Sequence, residues 1–71
     1  MVTQSDMVLD YLQEHGSITP WEALREIGCM RLGARIYDLK RAGYTIRAEN
    51  VRRVNRWGRT VCFAKYTLEA Q

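Results

Sequence analysis

The chain has 71 residues, of which 46% are hydrophobic and 27% are charged, and its formal net charge is +3. This composition is too hydrophobic for a disordered chain, and the length predicts one globular domain over residues 1–71. The sequence contains no apolar run near the roughly 20 residues that cross a bilayer. Its first residues do not resemble a signal peptide, so we expect a protein of the bacterial cytoplasm.

The charged residues are unevenly distributed along the chain. Residues 1–24 contain four carboxylates and neither Lys nor Arg, whereas residues 25–71 contain all 11 basic residues and four carboxylates. One strongly basic half is typical of a protein that binds a polyanion. An unevenly charged surface with no partner is the alternative.

The reactive side chains show no spacing that predicts catalysis. Cys29 and Cys62 each lie in an apolar pattern, and we expect both to be buried, reduced thiols. The single histidine, His15, fits the last turn of a helix better than a metal site. No nucleophile is spaced with a base and an orienting acid, and no glycine-rich loop would hold a phosphate. The sequence therefore predicts neither an enzyme nor a bound metal or cofactor.

The first predicted helix follows from its end signals. Ser5 is a suitable N-cap with Asp6 in the first turn, and Gly16 ends the helix. Its apolar residues recur at helical spacing and form one face: Val8, Leu9, Tyr11 and Leu12.

A short extended segment over residues 17–19 precedes the second predicted helix. Thr19 and Glu22 form a capping box, with Pro20 in the first helical position. Gly28 ends this helix after about two turns, and its inward-facing residues are expected to be Ala23, Leu24 and Ile27.

The third helix is predicted from Met30 to Ala42, with Gly43 after it and a core stripe of Leu32, Ile36 and Leu39. Two strands follow, over residues 44–54 and 60–68, joined by a turn at 55–58. The alternation of the first strand slips near Asn50, where we expect a bulge. In the second strand one face carries Cys62, Ala64, Tyr66 and Leu68.

This order of elements predicts an α+β fold of the winged helix-turn-helix type. It has three helices followed by an antiparallel β wing, with two strands or with three if the segment at 17–19 joins it. In a helix-turn-helix the third helix enters the major groove of double-stranded DNA. Gly33 and Ala34 are small enough to let this helix approach the duplex. The predicted contact residues of this helix are Met30, Arg31, Ala34, Arg35, Tyr37, Lys40 and Arg41.

Two roles are open for Arg35. It lies near the edge of the core stripe, where it can pair with Asp38 three residues later or contact DNA. Asp38 on the outward side would repel phosphates unless it pairs with an arginine or accepts a hydrogen bond from a cytosine amino group.

The wing is the second basic element, and arginine is favoured at DNA backbones and in minor grooves. Protection of an exposed strand edge from aggregation is the alternative role for these arginines. DNA contact by both elements requires their cations to share one exposed side of the molecule. The predicted contact residues of the wing are Arg47, Arg52, Arg53, Arg56, Trp57 and Arg59.

Three apolar side chains of the hairpin are candidates for a partner surface. If Cys62 and its neighbours point inward, Val61 and Phe63 point outward near Trp57, as a patch for a homodimer or another protein. Alternatively, the bulge reverses the register and buries Phe63.

Residues 17–24 (SITPWEAL) and 28–46 (GCMRLGARIYDLKRAGYTI), with the strand that contains Ala64 and Tyr66, resemble a family of small helix-turn-helix proteins encoded in phages and prophages. The resemblance covers roughly residues 7–68. It implies a winged helix-turn-helix fold, DNA binding and a phage or prophage setting. Gly28 precedes Leu32 by fewer positions than in many bacterial regulators, so we expect a tighter turn.

Two functions follow from these patterns. The first is a double-stranded DNA-binding protein that acts as a transcriptional regulator or in another DNA transaction. The second is a protein-interaction module, such as a phage inhibitor that docks on a host protein through its wing or its acidic first helix.

Overall fold

A computed structural model describes residues 2–69 of the chain. It contains a three-stranded antiparallel sheet in the order β1–β3–β2, against which the helices pack. The predicted α+β winged helix-turn-helix fold is confirmed, with a short third strand. The elements are α1 (Gln4–His15), β1 (Ser17–Ile18), α2 (Pro20–Glu22) with a following π-helical turn (Ala23–Ile27), α3 (Leu32–Arg41), β2 (Ile46–Val54) and β3 (Thr60–Leu68).

The N-terminus of α1 is capped by Thr3, so the prediction of Ser5 as the N-cap is wrong. Thr3 Oγ1 accepts a hydrogen bond from the Asp6 N–H at 3.2 Å, and the Asp6 carboxylate accepts one from the Thr3 N–H at 3.0 Å. This reciprocal box satisfies two N–H groups at the helix start, which leaves Ser5 free for another partner. At the other end Gly16 adopts a left-handed conformation with φ 87° and ends the helix as predicted.

The capping box of α2 is confirmed. Thr19 Oγ1 accepts from the Glu22 N–H at 3.3 Å, and Glu22 accepts from the Thr19 N–H at 3.0 Å. The prediction of an inward Leu24 is wrong, because Leu24 is 46% exposed. The wide π-helical turn changes the directions of successive side chains relative to an α-helix. Ala23 is therefore buried and Ile27 packs against the core, while Leu24 turns outward.

The hydrophobic core lies where the three helices meet one end of the sheet. We call this end, where Ile46 pairs with Leu68, the root of the sheet. The predicted stripe of α3 is confirmed, and Cys29 is buried as predicted. α3 begins at Leu32 rather than Met30, because Arg31 has φ −124° and ψ 60°, outside the helical region. The buried residues are Val8, Leu12, Ile18, Ala23, Cys29, Leu32, Ile36, Leu39 and Ile46.

The two long strands form a regular hairpin, which we call the wing (residues 46–68). The pairing runs without interruption from Ile46 opposite Leu68 to Val54 opposite Thr60, so the predicted bulge near Asn50 is wrong. Asn50 is exposed, and a polar side chain facing water needs no shift of the strand. The wing makes the molecule elongated, with extents of 41 × 24 × 20 Å.

The regular register divides the wing into two faces, because side chains alternate along a strand. We call the first the α3 face, because Tyr66 lies beside Gly33 of α3. Its residues are Ile46, Ala48, Asn50, Arg52, Val54, Thr60, Cys62, Ala64, Tyr66 and Leu68. We call the second the α2 face, and its residues are Arg47, Glu49, Val51, Arg53, Val61, Phe63, Lys65 and Thr67.

Only the root of the α3 face reaches the core. Cys62 shares this face with Tyr66 and Leu68 as predicted, yet its predicted burial is wrong. Tyr66 and Leu68 pack against the core, whereas Cys62 lies farther along the wing, beyond the helices.

Within residues 2–69 the structure contains no helix that is long and apolar enough to span a membrane.

Candidate nucleic-acid interface

The outward side of α3 is an exposed ridge of aromatic and cationic side chains. The opposite side of the helix is fixed in the core by its buried stripe, so the ridge is held at a constant orientation. Tyr37 is 61% exposed, and the Arg41 guanidinium lies 5.8 Å from the centroid of its ring. Lys40 is also exposed. A helix that presents cations in this way can enter a major groove.

The first predicted contact residues lie in the turn before α3 rather than on the helix. Met30 is 85% exposed, and Arg31 occupies the N-cap position. The helix start lies close to the wing, because a Cβ atom on Gly33 would stand 3.8 Å from the Tyr66 hydroxyl. Ala34 is only partly exposed, so its contribution would be a close approach of the helix backbone.

Arg35 is engaged within the protein. Its guanidinium lies 3.3 Å from the Asp38 carboxylate, and its side chain is 33% exposed. Asp38 also accepts a hydrogen bond from Ser5 Oγ of α1 at 3.3 Å. Between the two roles left open by the sequence, this geometry favours the structural ion pair. It also gives Asp38 the arginine partner that its outward position required.

The tip of the wing is organised by Asn55. Its side-chain oxygen accepts from the N–H groups of Trp57 and Arg59, both at 3.0 Å. The Gly58 N–H donates to the Asn55 carbonyl at 3.0 Å, and Gly58 has φ 76°, which is typical of a three-residue hairpin loop. The loop projects Trp57, which is 73% exposed, with the Arg56 guanidinium 4.4 Å from its ring.

The arginines of the wing do not all share one side with α3. Arg52 lies on the α3 face, and Arg47 and Arg53 lie on the α2 face. Arg47 pairs with Glu69 at 3.3 Å, which reduces its charge available to a ligand. Arg56 and Arg59 belong to the tip. The wing therefore offers cations in two directions, and the expectation of a single basic side holds only in part.

The predicted apolar patch of the wing is divided between two places. Trp57 lies at the tip, whereas Phe63 is half-buried in mid-strand on the α2 face, opposite Val51. Val61 is 41% exposed on the same face. Since the register is regular, the alternative in which a bulge buries Phe63 is wrong. Phe63 instead lines a groove together with Trp21 of α2, a residue that the sequence analysis did not single out.

Glu22 and Tyr11 form the polar contact between α1 and α2. The Tyr11 hydroxyl donates to Glu22 at 3.0 Å. Burial acts to raise the pKa of the Glu22 carboxyl, but the hydrogen bonds from Tyr11 and Thr19 outweigh it and hold the pKa below its ordinary value. Burial and the Glu22 carboxylate both raise the pKa of Tyr11, so Tyr11 stays a donor. This contact supports α2 and belongs to the scaffold of the interface.

Comparison with known proteins agrees with this architecture. Residues 3–71 match the family model described as a winged helix-turn-helix domain. No curated protein and no solved structure shows a significant match to the chain. Within the described residues no cluster of His, Cys, Asp or Glu is arranged to hold a metal ion. Because the family match spans nearly the whole chain, the chain belongs to the winged helix-turn-helix domain family.

Proposed function

We propose that the chain binds double-stranded DNA, with α3 in the major groove and the wing on the backbone or in the minor groove. The observation that carries this proposal is the pair of exposed cation–aromatic contacts. One joins Arg41 and Tyr37 on α3, and the other joins Arg56 and Trp57 at the wing tip. Membership in the winged helix-turn-helix family supports the same docking mode.

The charge distribution supports an orientation of the molecule toward the duplex. On the body of the protein, away from the wing tip, Glu26 lines a groove together with three carboxylates of α1, which are Asp6, Asp10 and Glu14. A phosphate backbone attracts the basic elements and repels this acidic groove. The encounter complex would therefore already place α3 and the wing toward DNA.

The contact residues divide into two roles. Lys40 and Arg41 of α3, and Arg31 at its N-cap, are long enough to reach base edges or phosphates, while Ala34 allows close approach. Arg56 and Arg59 reach the backbone or the minor groove from the tip. The remaining proposed contacts are Met30, Tyr37, Arg52 and Trp57. Arg35 is paired with Asp38, and Arg47 and Arg53 lie on the α2 face of the wing, so these three are not part of the proposed duplex contact. We propose the role of a transcriptional regulator or DNA-transaction factor, in the phage or prophage setting that the sequence resemblance implies.

Titration with a duplex at several salt concentrations tests the proposal. The logarithm of the binding constant should fall linearly with the logarithm of salt concentration, by roughly 0.9 for each phosphate neutralised. Arg56→Ala should weaken binding to all sequences and reduce this slope by about 1. Arg41→Ala should in addition relax the preference for a sequence selected from a random duplex library.

The matched control is Arg25→Ala. Arg25 carries the same charge, but it pairs with Glu26 at 3.3 Å beside the acidic groove. This variant should keep the duplex affinity of the parent protein. Binding that ignores salt, or an equal loss in Arg25→Ala and Arg41→Ala, would contradict the proposed interface.

A protein-interaction module is the second candidate, and the acidic groove of α1 favours it. Val2 and Met7 are 65% and 40% exposed and lie in the groove among the carboxylates. Exposed apolar side chains within a polar rim are typical of partner surfaces. Co-purification of a host protein that is lost in Met7→Lys, with duplex binding retained, would support this function.

A further inference from the structure

A second basic groove lies on the α2 face of the wing, where the proposed duplex-binding site does not extend. Phe63 and Lys65 come from β3, and Arg53 comes from β2. Trp21 of α2 and Arg25 of the following π-helical turn complete this set. The groove is open to solvent and is further lined by Ser17, Thr19, Glu22 and Val51.

We propose that this groove binds the unpaired nucleotides of a single-stranded nucleic acid. The inference goes beyond the proposed duplex binding, because it assigns a second ligand to a different face of the sheet. Proteins that bind single strands combine aromatic side chains, on which bases stack, with a cationic groove that follows the backbone. The α2 face brings both components together.

The aromatic component is Trp21 with Phe63. Trp21 is 65% exposed, although it is one of the largest apolar side chains in the chain. It lies in the first turn of α2, where the capping box of Thr19 and Glu22 fixes the backbone. A rigidly attached, exposed indole is suited to stack on a base, and half-buried Phe63 forms the opposite part of the same groove.

The cationic component is Arg25, Arg53 and Lys65. Arg25 pairs with Glu26 at 3.3 Å, but both side chains are about half exposed, and such pairs are weak in water. A phosphate can therefore replace Glu26 as the partner of Arg25. One Nη of Arg53 donates to the Arg52 carbonyl at 3.3 Å, and the rest of this guanidinium remains available for a phosphate.

Glu22 is the one acidic residue among those that line this groove in the described part of the chain. Its carboxylate is already hydrogen-bonded: one oxygen accepts from the Tyr11 hydroxyl at 3.0 Å, and the other accepts from the Thr19 N–H and hydroxyl at 3.0 and 3.1 Å. These donors hold the carboxylate in place and stabilise its ionised form. Glu49 also lies on the α2 face, opposite Lys65, but it does not line the groove. The lining therefore carries three cations against one carboxylate, which leaves a positive balance.

The two proposed sites lie on opposite faces of one sheet. Gly33 of α3 lies beside Tyr66, on the α3 face, whereas Phe63 and Lys65 alternate to the α2 face. A duplex on α3 and a single strand in the groove would therefore not compete for the same side chains. This arrangement suits a nucleic acid in which a duplex continues into an unpaired strand.

Fluorescence anisotropy with two probes tests the inference: an oligothymidine of about 12 nucleotides, within the usual site size of small single-strand binders, and a hairpin duplex. Trp21→Leu, at an exposed position, and Lys65→Gln, at a partly exposed one, should each weaken oligothymidine binding about fivefold or more. Both should change duplex affinity less than twofold. Arg41→Ala should show the reverse pattern.

The indole itself provides a direct signal. In a Trp57→Phe background Trp21 is the remaining tryptophan, and stacking on thymine should quench its fluorescence on addition of oligothymidine. Unchanged oligothymidine affinity in Trp21→Leu, or equal losses for both probes, would overturn the inference. Unchanged duplex affinity in Arg41→Ala, with the expected oligothymidine results for Trp21→Leu and Lys65→Gln, would instead contradict only the proposed function.

Discussion

Arg35 and Asp38 form an ion pair one turn apart on α3, with 3.3 Å between the guanidinium nitrogen and the carboxylate oxygen. The same carboxylate accepts a hydrogen bond from Ser5, so the pair also joins α3 to α1. An acidic residue next to the proposed DNA-reading ridge is thereby neutralised. The pair is part of the support of α3, although Arg35 Nε is buried without a hydrogen-bond partner.

This relationship predicts that Arg35 contributes little to DNA affinity through direct contact. The double variant Arg35→Met, Asp38→Asn keeps the methylene packing and removes both charges together. We expect a change in unfolding free energy within about 1 kcal/mol, because partly exposed ion pairs contribute little. Urea denaturation measures this change in unfolding free energy. The duplex affinity of the double variant should fall less than that of Arg41→Ala. An equal or larger loss of affinity would place Arg35 on the DNA.

The capping box of α2 should contribute measurably to the free energy of unfolding. Thr19→Ala removes the acceptor for the Glu22 N–H and one donor to the Glu22 carboxylate. We expect a loss of about 0.5–2 kcal/mol in unfolding free energy. Thr45→Ala, at an exposed position before β2, is the matched control and should change it by less than about 0.5 kcal/mol. Equal effects of the two changes would refute the capping argument.

The lowered pKa of Glu22 predicts a dependence of stability on pH. The folded state binds this proton more weakly than the unfolded state, whose ordinary value is 4.5. Ionised Glu22 therefore stabilises the fold above pH 4.5, and this contribution is lost as pH falls through the lower folded value. Urea titrations between about pH 5 and 3 should show a steeper loss of stability in the parent than in Glu22→Gln. Parallel curves would exclude the role of Glu22.

The two cysteines should differ in reactivity. Cys62 is exposed on the wing, and Cys29 is 1% exposed in the core. A thiol reagent should therefore label one thiol of the native protein quickly and the second only on unfolding. Because Cys62 lies on the α3 face, a bound duplex should slow its labelling, whereas oligothymidine in the α2-face groove should not. Cys62→Ser provides the background rate, and equal protection by both probes would contradict the two-face arrangement.

The features that the sequence predicted correctly depend on local signals. The box of Thr19 and Glu22, the end of α1 at Gly16 and the helical spacing of the α3 stripe each involve residues within a few positions of one another. The strand limits Thr60–Leu68 also follow from local alternation. In these segments the local preference and the final packing agree.

Three incorrect predictions were local: the N-cap at Ser5, the start of α3 at Met30 and the bulge near Asn50. The others depend on backbone geometry or on distant parts of the chain. Exposure of Cys62 depends on how far the wing extends past the helices, which the strand pattern does not contain. Exposure of Leu24 depends on the π-helical turn, which the α-helical spacing of apolar residues in the sequence does not reveal. The groove of Trp21 and Phe63 requires both the register of the hairpin and the position of α2, so no short segment could reveal it.

The wing is anchored to the body near its root, where Ile46 is buried, Tyr66 and Leu68 pack against the core, and β1 pairs with β3. Nine-residue strands span about 30 Å, so a rotation of about 10° at the root moves the tip by about 5 Å. Trp57 and Arg56 are thus carried on a lever arm. In the proposed complex, such an arm would let the wing tip follow duplexes of different curvature while α3 stays in the major groove.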